Sequence, residues 1–435
     1  MMHDEHFTVL GVARPRAAWL AEVGRWANSS MLPIEFIRCV SVDEVRSRLL
    51  STRRHSAVLL GEDCVGVDRD IIETARDAGC VPIVVTETTT RRDWVLLGAS
   101  STLIQPVNPE QLLAVLRDHA IGVERRTPAS SAEIAVQTGA AGRLITVLGP
   151  GGTGTSTTAM AIASHFAADT STKRESTDKR VALIDASLNG DQALLHDLGD
   201  VVPGLQELVD LHRTANPSVG DVRNHFWFTP RHGYDVLPGL RRHRDWSTLR
   251  RRSTLAALAS ILNAYDIVVA DTDSDLEGEE QTGSIDVEDR NFLARELATN
   301  ADLVVLSARG GISGLSRSLQ TFRDLVELGV QTERVLLVVI GAPRSTRQRS
   351  ELTRTILRLF NEAVPSHSLA TPVMVPIRRD LEPFFHDGTV PPRSALGSIS
   401  AAVAERLDLI APFEPRPNFQ QTPVSIVPGH LGRTA

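Results

Sequence analysis

Lysine is nearly missing from this chain. Of 46 basic residues in 435, only Lys173 and Lys179 are lysines, so 44 are arginines. Every other cationic role must fall to arginine, and any chemistry that demands a lysine has two candidates. Cysteine is scarce as well. Cys39, Cys64 and Cys80 have no short pairing and no metal-ligand spacing, which excludes a disulfide framework and points to reduced, buried thiols. No stretch approaches the roughly 18 apolar residues of a membrane span. The start, Met1-Met2-His3-Asp4-Glu5-His6, lacks the basic and apolar segments of a signal peptide, so a cytoplasmic protein is expected. Positive charge is not in excess: the net charge of −7 excludes a surface that grips nucleic acid as a whole. At 42% apolar and 23% charged residues the composition is that of a globular chain, long enough for several domains.

Between residues 7 and 120, short β-branched runs alternate with stretches of helical spacing, the grammar of parallel strands between helical layers. The pattern predicts strands at Thr8–Val12, Ile34–Val40, Ala57–Leu60, Val81–Thr86 and Thr102–Ile104, each followed by a helix, the last over Pro109–His119. Residues 1–125 thus form a small doubly wound domain. Its order, and the Gln105-Pro106 turn after the fifth strand, resemble a response-regulator receiver domain. The receiver chemistry is missing: Gly11-Val12-Ala13 stands where the metal-binding acids belong, Leu60-Gly61 where the phosphoacceptor belongs, and Gln105 where the switch lysine belongs. Glu62 and Asp63 come one and two residues late. The expectation is a pseudo-receiver used for docking.

Residues 126–142 are small, polar and aperiodic, and read as a linker. A second βα series occupies 143–411, with strands near Leu144–Leu148, Val181–Asp185, Ile267–Asp271, Leu303–Ser307, Val335–Ile340 and Val373–Pro376. The tail, 412–435, has five prolines and reads as disordered. The fold class expected is α/β, with two doubly wound parallel sheets.

The most informative segment follows the first strand of the second series: Gly149-Pro150-Gly151-Gly152-Thr153-Gly154-Thr155-Ser156-Thr157, then an apolar helix. Its spacing fits the phosphate loop G-x-x-x-x-G-K-[ST] everywhere except the lysine, where Thr155 stands. Glycines let successive N–H groups converge on a phosphate at a helix N-terminus. Against this stands a plain βα turn that needs glycines for geometry. Asp185 and Asp271 each end an apolar strand; either could bind a metal or cap the next helix.

Pro150-Gly-Gly-Thr-Gly-Thr-Ser-Thr157 resembles the deviant Walker A loop of the MinD/ParA superfamily of positioning ATPases, nearest its CpaE/TadZ branch, to which septum-site (Ssd) proteins belong. Val181-Ala-Leu-Ile-Asp185-Ala-Ser187, Tyr234-Asp-Val-Leu-Pro-Gly239, Tyr265 through Asp271-Thr272, Ala301 through Leu306 and Met374-Val-Pro376 resemble later landmarks in order. The resemblance implies ATP and Mg²⁺ as cofactors. It places Gly149, Gly151, Gly152, Thr153, Gly154, Thr155, Ser156 and Thr157 around the phosphates and Pro376 before the loop beside the base. It gives Mg²⁺ to Ser156 and, through water, to Asp271, and it sets Asp185 near the attacking water. It further implies a homodimer that marks where a pilus machine or division septum is built, at a pole or septum, with partners bound through the receiver-like domain. The loop lysines of that family are Pro150 and Thr155 here, so hydrolysis is expected to be weak. An active ATPase and a pseudo-ATPase without nucleotide are the alternatives.

Two charged runs remain. Arg241–Arg252 holds six arginines and is either a solvated helix face or a basic patch for DNA, acidic lipid or the chain's own acids. Asp271–Asp289 holds nine acids and is expected to be a mobile loop that contacts a partner.

Overall fold

The computed structural model describes residues 6–15, 17–29, 31–50, 54–87, 92–120, 142–172, 180–364, 369–376, 383–384 and 393–410. Lys173, Lys179, the tail and all of the linker except Gly142 lie outside them. The chain divides into two compact units, each built on its own sheet.

The first unit runs β1 (Phe7–Val12), α1 (Ala18–Asn28), β2 (Ile34–Arg38), α2 (Val42–Leu49), β3 (Ala57–Gly61), α3 (Arg69–Asp77), β4 (Val81–Thr86), β5 (Ser101–Ile104), α4 (Pro109–His119). Its five strands are parallel in the order β2-β1-β3-β4-β5. The near-continuous apolar runs of β1, β3 and β4 are buried on both faces, as a doubly wound sheet requires. Trp19, Leu112 and Leu116 pack on one face, Val45, Ile71 and Ile72 on the other. Two expectations need correction. The second strand stops at Arg38, because the Val40 amide is taken by the Glu44 carboxylate at 2.8 Å, while Ser41 Oγ accepts from the Glu44 amide and opens α2. The fourth strand is followed, among the described residues, by a turn over 94–98 instead of a helix: Asp93 accepts from the Leu96 amide, and Trp94 and Leu97 fill the space a helix would occupy.

The second unit runs β6 (Arg143–Leu148), α5 (Thr155–Thr172), β7 (Val181–Asp185), α6 (Gln192–Leu195), α7 (Leu205–Thr214), α8 (Val219–Arg223), β8 (Trp227–Thr229), β9 (Tyr234–Leu237), α9 (Arg251–Ala264), β10 (Ile267–Asp271), α10 (Glu279–Thr282), α11 (Ile285–Thr299), β11 (Leu303–Arg309), α12 (Ile312–Glu327), β12 (Val335–Ala342), α13 (Thr346–Ala363), β13 (Val373–Pro376), α14 (Arg393–Leu409). The order across the sheet is β13-β12-β11-β6-β10-β7-β9-β8. All neighbours are parallel except β8 and β9, an antiparallel edge pair. The sequence reading had no strand at β8: three residues, one of them the exposed Phe228, carry no period, and the pairing is made by the turn closed at Gly233 (φ 78°). Residues of α5 and α14 cover one face of the sheet, and residues of α7, α9, α11, α12 and α13 the other. Thus β6 lies in the middle, flanked by β11 and β10, and its carboxyl end opens where ligands bind in open α/β sheets.

Candidate functional site

Leu148 ends β6 and Gly149 begins the turn. A Cβ on Gly149 would sit 2.5 Å from the Ser307 carbonyl oxygen and 2.8 Å from Thr153 Oγ1, so this glycine lets β11 and the turn close on each other. Gly152 (φ 78°) and Gly154 (φ 82°) occupy the left-handed region, which spares a Cβ penalty. Gly151 and Gly152 are exposed, with nothing within 4 Å of an added Cβ. The turn is held from below: the Thr153 amide donates to the Pro150 carbonyl at 3.2 Å, Thr153 Oγ1 lies 3.3 Å from Thr155 Oγ1, and Thr158 Oγ1 lies 3.4 Å from Ser307 Oγ. The amides of Thr155, Ser156 and Thr157 open α5 and have no intrahelical acceptor. The lysine position carries a short hydroxyl whose neighbour is another hydroxyl.

Register sets the acids beside this turn. Asp271 pairs with Val147 on one side and Asp185 on the other. Both carboxyls are buried. Asp271 accepts from Gln192 Nε2 at 2.7 Å and is bonded by the Ser156 hydroxyl. Its pKa is nevertheless pushed up to about 6, chiefly by burial. Asp185, 1% exposed, is pushed up to about 8 by burial and then by the Asp271 charge, against the amides of Gln192 (3.0 Å) and Ser187 (3.3 Å), which favour its anion. Gly190 and Gly239 close over the Asp185 carboxyl, where a Cβ would collide. In this conformation Asp185 therefore organises the segment 185–192. Ser187 donates from its hydroxyl to the Asp271 carbonyl at 3.4 Å.

Gln192 escaped the sequence reading, because a lone glutamine neither titrates nor belongs to the loop motif. It is fully buried. Its backbone binds Asp185, its Nε2 binds Asp271 and reaches the Ser156 carbonyl at 3.4 Å, and its Oε1 has no partner among the described residues. A buried amide oxygen without a donor costs about 1–3 kcal/mol, so the observation points to a missing donor. The Gln192 carbonyl meets His196 Nδ1 at 2.7 Å, and His196 Nε2 meets Tyr234 Oη at 2.7 Å. Ser156 Oγ, the Asp271 carboxylate and Gln192 Oε1 are hard oxygen donors of the kind Mg²⁺ takes, and the open glycine turn suits phosphate.

Pro376 ends β13, the edge strand beside β12 and three strands from β6, and is paired with Ala342. The residues after it, 377–382, lie outside the described ones. The acidic run is corrected: it is no loop throughout, since it holds α10 and the start of α11. Asp275 binds Arg290 (2.6 Å) and Asn291 (2.8 Å), and Glu288 binds Arg251 (3.2 Å), Arg295 (3.6 Å) and the Glu279 amide (3.1 Å). Arg241–Arg252 is not one helix face either. A 3-10 turn, His243–Thr248, precedes α9; Arg241 pairs with Glu207, and Arg251 lies over Phe292 besides binding Glu288. Of the options left open, contact with the chain's own acids holds for Arg251.

In the first unit, Glu62 accepts from the Glu87 amide and from Trp94 Nε1, and Asp63 binds Arg14 at 2.6 Å. Both acids are engaged in closing the carboxyl end of that sheet. Burial pushes the Cys39 thiol up to about 11 and Cys80 up to about 12, which keeps both protonated.

The chain is similar to solved ParA and MinD ATPases. One is a ParA family ATPase from Chlorobium tepidum TLS, at 13% identity over 62% of this chain and 97% of that one, with a TM-score of 0.44. Another is the cell division ATPase MinD of Pyrococcus furiosus, at 18% identity over 61% and 99%, TM-score 0.44. A third is the septum site-determining protein MinD complexed with Mg-ADP from Pyrococcus horikoshii OT3, at 16% identity over 62% and 99%, TM-score 0.44. No family model matches the chain, and no curated protein does. Among the described residues, no helix is long and apolar enough to cross a membrane.

Proposed function

We propose that this chain is a nucleotide-binding positioning protein of the MinD/ParA kind, a scaffold of the CpaE/TadZ and Ssd type whose occupancy by Mg²⁺-ATP governs where a pilus or division machine is placed. The observation that carries the reading is the convergence of the Ser156 hydroxyl, the Asp271 carboxylate and the orphaned Gln192 Oε1 at the foot of an open glycine turn. When bound, ATP and its ion supply the anionic phosphates and the hard cation for which these donors are suited. In this reading the amides from Gly151 to Thr157 hold phosphate, Ser156 and Asp271 hold the ion, and Gln192 keeps Asp271 oriented and accepts from an ion-bound water. Asp185 fixes the segment that carries Gln192. Thr155 brings no charge to the transferring phosphoryl group, so turnover is slow. The scaffold acts as a homodimer, and residues 1–125 serve as a docking module without receiver chemistry.

Calorimetry and a phosphate-release assay on one purified sample test this. Expected are Mg²⁺-dependent ATP binding, at least tenfold weaker binding in Ser156→Ala, and turnover that rises in Thr155→Lys. Fast wild-type turnover would favour a cycling ATPase, and absence of binding by both wild type and Thr155→Lys would leave the glycines a purely architectural role.

A further inference from the structure

If the turn binds phosphate without its lysine, some other cation must meet the charge. We propose that Arg309 is that cation, a phosphate-binding residue supplied by the strand next to the glycine turn. The inference rests on the nucleotide reading above and adds a residue to its site.

Arg309 ends β11, and β11 is hydrogen-bonded to β6, the strand that leads into the turn. Leu306 pairs with Leu148, so Arg309 stands three residues further toward the open edge, at the height of the turn. Its face follows from the two-residue period of a strand. Ser307, two residues earlier, reaches Thr158 of α5, and Leu303 and Val305 pack in the core that α5 covers. Arg309 shares that face. A second observation agrees. Arg309 pairs with Ile340 on β12, and Ile340 is the residue an added Cβ on Gly154 would touch, at 3.7 Å. Paired residues of a parallel ladder point to the same side. The arginine is one strand nearer to the turn than an isoleucine that already reaches it.

The base of Arg309 is held and its tip is open. The Gly310 amide donates to the Ile340 carbonyl at 2.9 Å, the Gly311 amide to the Arg309 carbonyl at 2.8 Å, and Gly314 of α12 is pressed against the carbonyl and the Cβ of Arg309. The side chain is exposed and, among the described residues, has no ion-pair partner. Several other described arginines of this unit are engaged elsewhere: Arg241 with Glu207, Arg251 with Glu288, Arg290 with Asp275, and Arg143 at the opposite end of β6 with Asp302. Arg344 follows β12, one strand further out. The acids lie on the β10 and β7 side of the turn, so Arg309 gives the phosphates a cation on one flank and leaves the metal on the other.

The test is calorimetry of Mg²⁺-ATP, Mg²⁺-ADP and AMP on the full chain, with Arg309→Gln, Arg309→Lys, Thr155→Lys and the double variant Arg309→Gln/Thr155→Lys. Arg309→Gln should weaken ATP about tenfold or more while AMP changes less than about twofold, as loss of one charge-assisted phosphate contact implies. Arg309→Lys should keep most of the affinity, and Thr155→Lys should restore it in the double variant. Unchanged ATP affinity in Arg309→Gln overturns the inference and leaves the nucleotide reading standing; so does an equal loss for ATP and AMP. Binding by Thr155→Lys without binding by wild type also overturns it. Binding by neither removes the nucleotide reading and this inference together. Matching thermal melts of wild type and Arg309→Gln show that the comparison is between folded proteins.

Discussion

Two glycines of one motif are needed for different reasons, and substitution separates them. Gly149 is where β11 presses on the turn, and a Cβ there meets a backbone carbonyl that cannot move without the strand. Gly151 faces open space. Gly149→Ala is expected to destabilise the fold by about 2 kcal/mol or more, whereas Gly151→Ala should stay within about 0.5 kcal/mol, both read from urea melts. His196 makes a second prediction at this scale. Burial lowers its pKa to about 4, so its ring is neutral in the fold, donating from Nδ1 to the Gln192 carbonyl and accepting at Nε2 from Tyr234. Unfolded, it would titrate near 6.5. Between those values the unfolded chain binds more protons, so stability rises with pH through this window and is lost as pH falls from about 6.5 toward 4. The contribution is about 3 kcal/mol in all. His196→Gln should flatten the dependence of the melting temperature on pH between 6.5 and 4.5; an unchanged slope would assign it to other groups.

At the scale of elements, the acidic run shows how a pattern of charge misleads when the partner lies far away in sequence. Counted along the chain, nine acids look unbalanced and loop-like. Folded, Glu288 joins α9, α10 and α11 through Arg251, Arg295 and the Glu279 amide. Its side chain is mostly buried, so removing its charge leaves two guanidinium groups short of an acceptor. Glu288→Gln is expected to lower stability by about 1–2 kcal/mol, measured by denaturant unfolding, and to do so less in an Arg251→Gln background. Additivity of the two substitutions would show that the ion pair is not coupled. Periodicity served better for the strands buried on both faces: β4, β7 and β10 begin and end where their apolar runs do. It failed at β8, whose three residues are held by pairing with β9.

At the scale of the molecule, the two units use one architecture for different ends. In the first, Glu62 and Asp63, which follow β3, are already bonded to Trp94 and Arg14. Incubation with a small phosphodonor such as acetyl phosphate should therefore leave the intact mass unchanged. A stable adduct on either acid would restore receiver chemistry. In the second, the carboxyl edge around β6 gathers the loop, the acids and an arginine from four strands.

What residue order determined was local: the buried apolar strands, the glycine turn between strand and helix, the acids that close β7 and β10, and the missing lysine. These depend on neighbours within a few positions, through side-chain period, backbone freedom and turn geometry. What the tertiary structure decided was pairing over long separations. It joined Gln192 to Asp271, shut Asp185 beneath Gly190 and Gly239, and bound the acids of α10 and α11 to arginines. It also set Arg309 beside the glycine turn. Those contacts depend on strand order and register, and a strand's place in a parallel sheet is settled by the packing of its crossover helices rather than by its own residues.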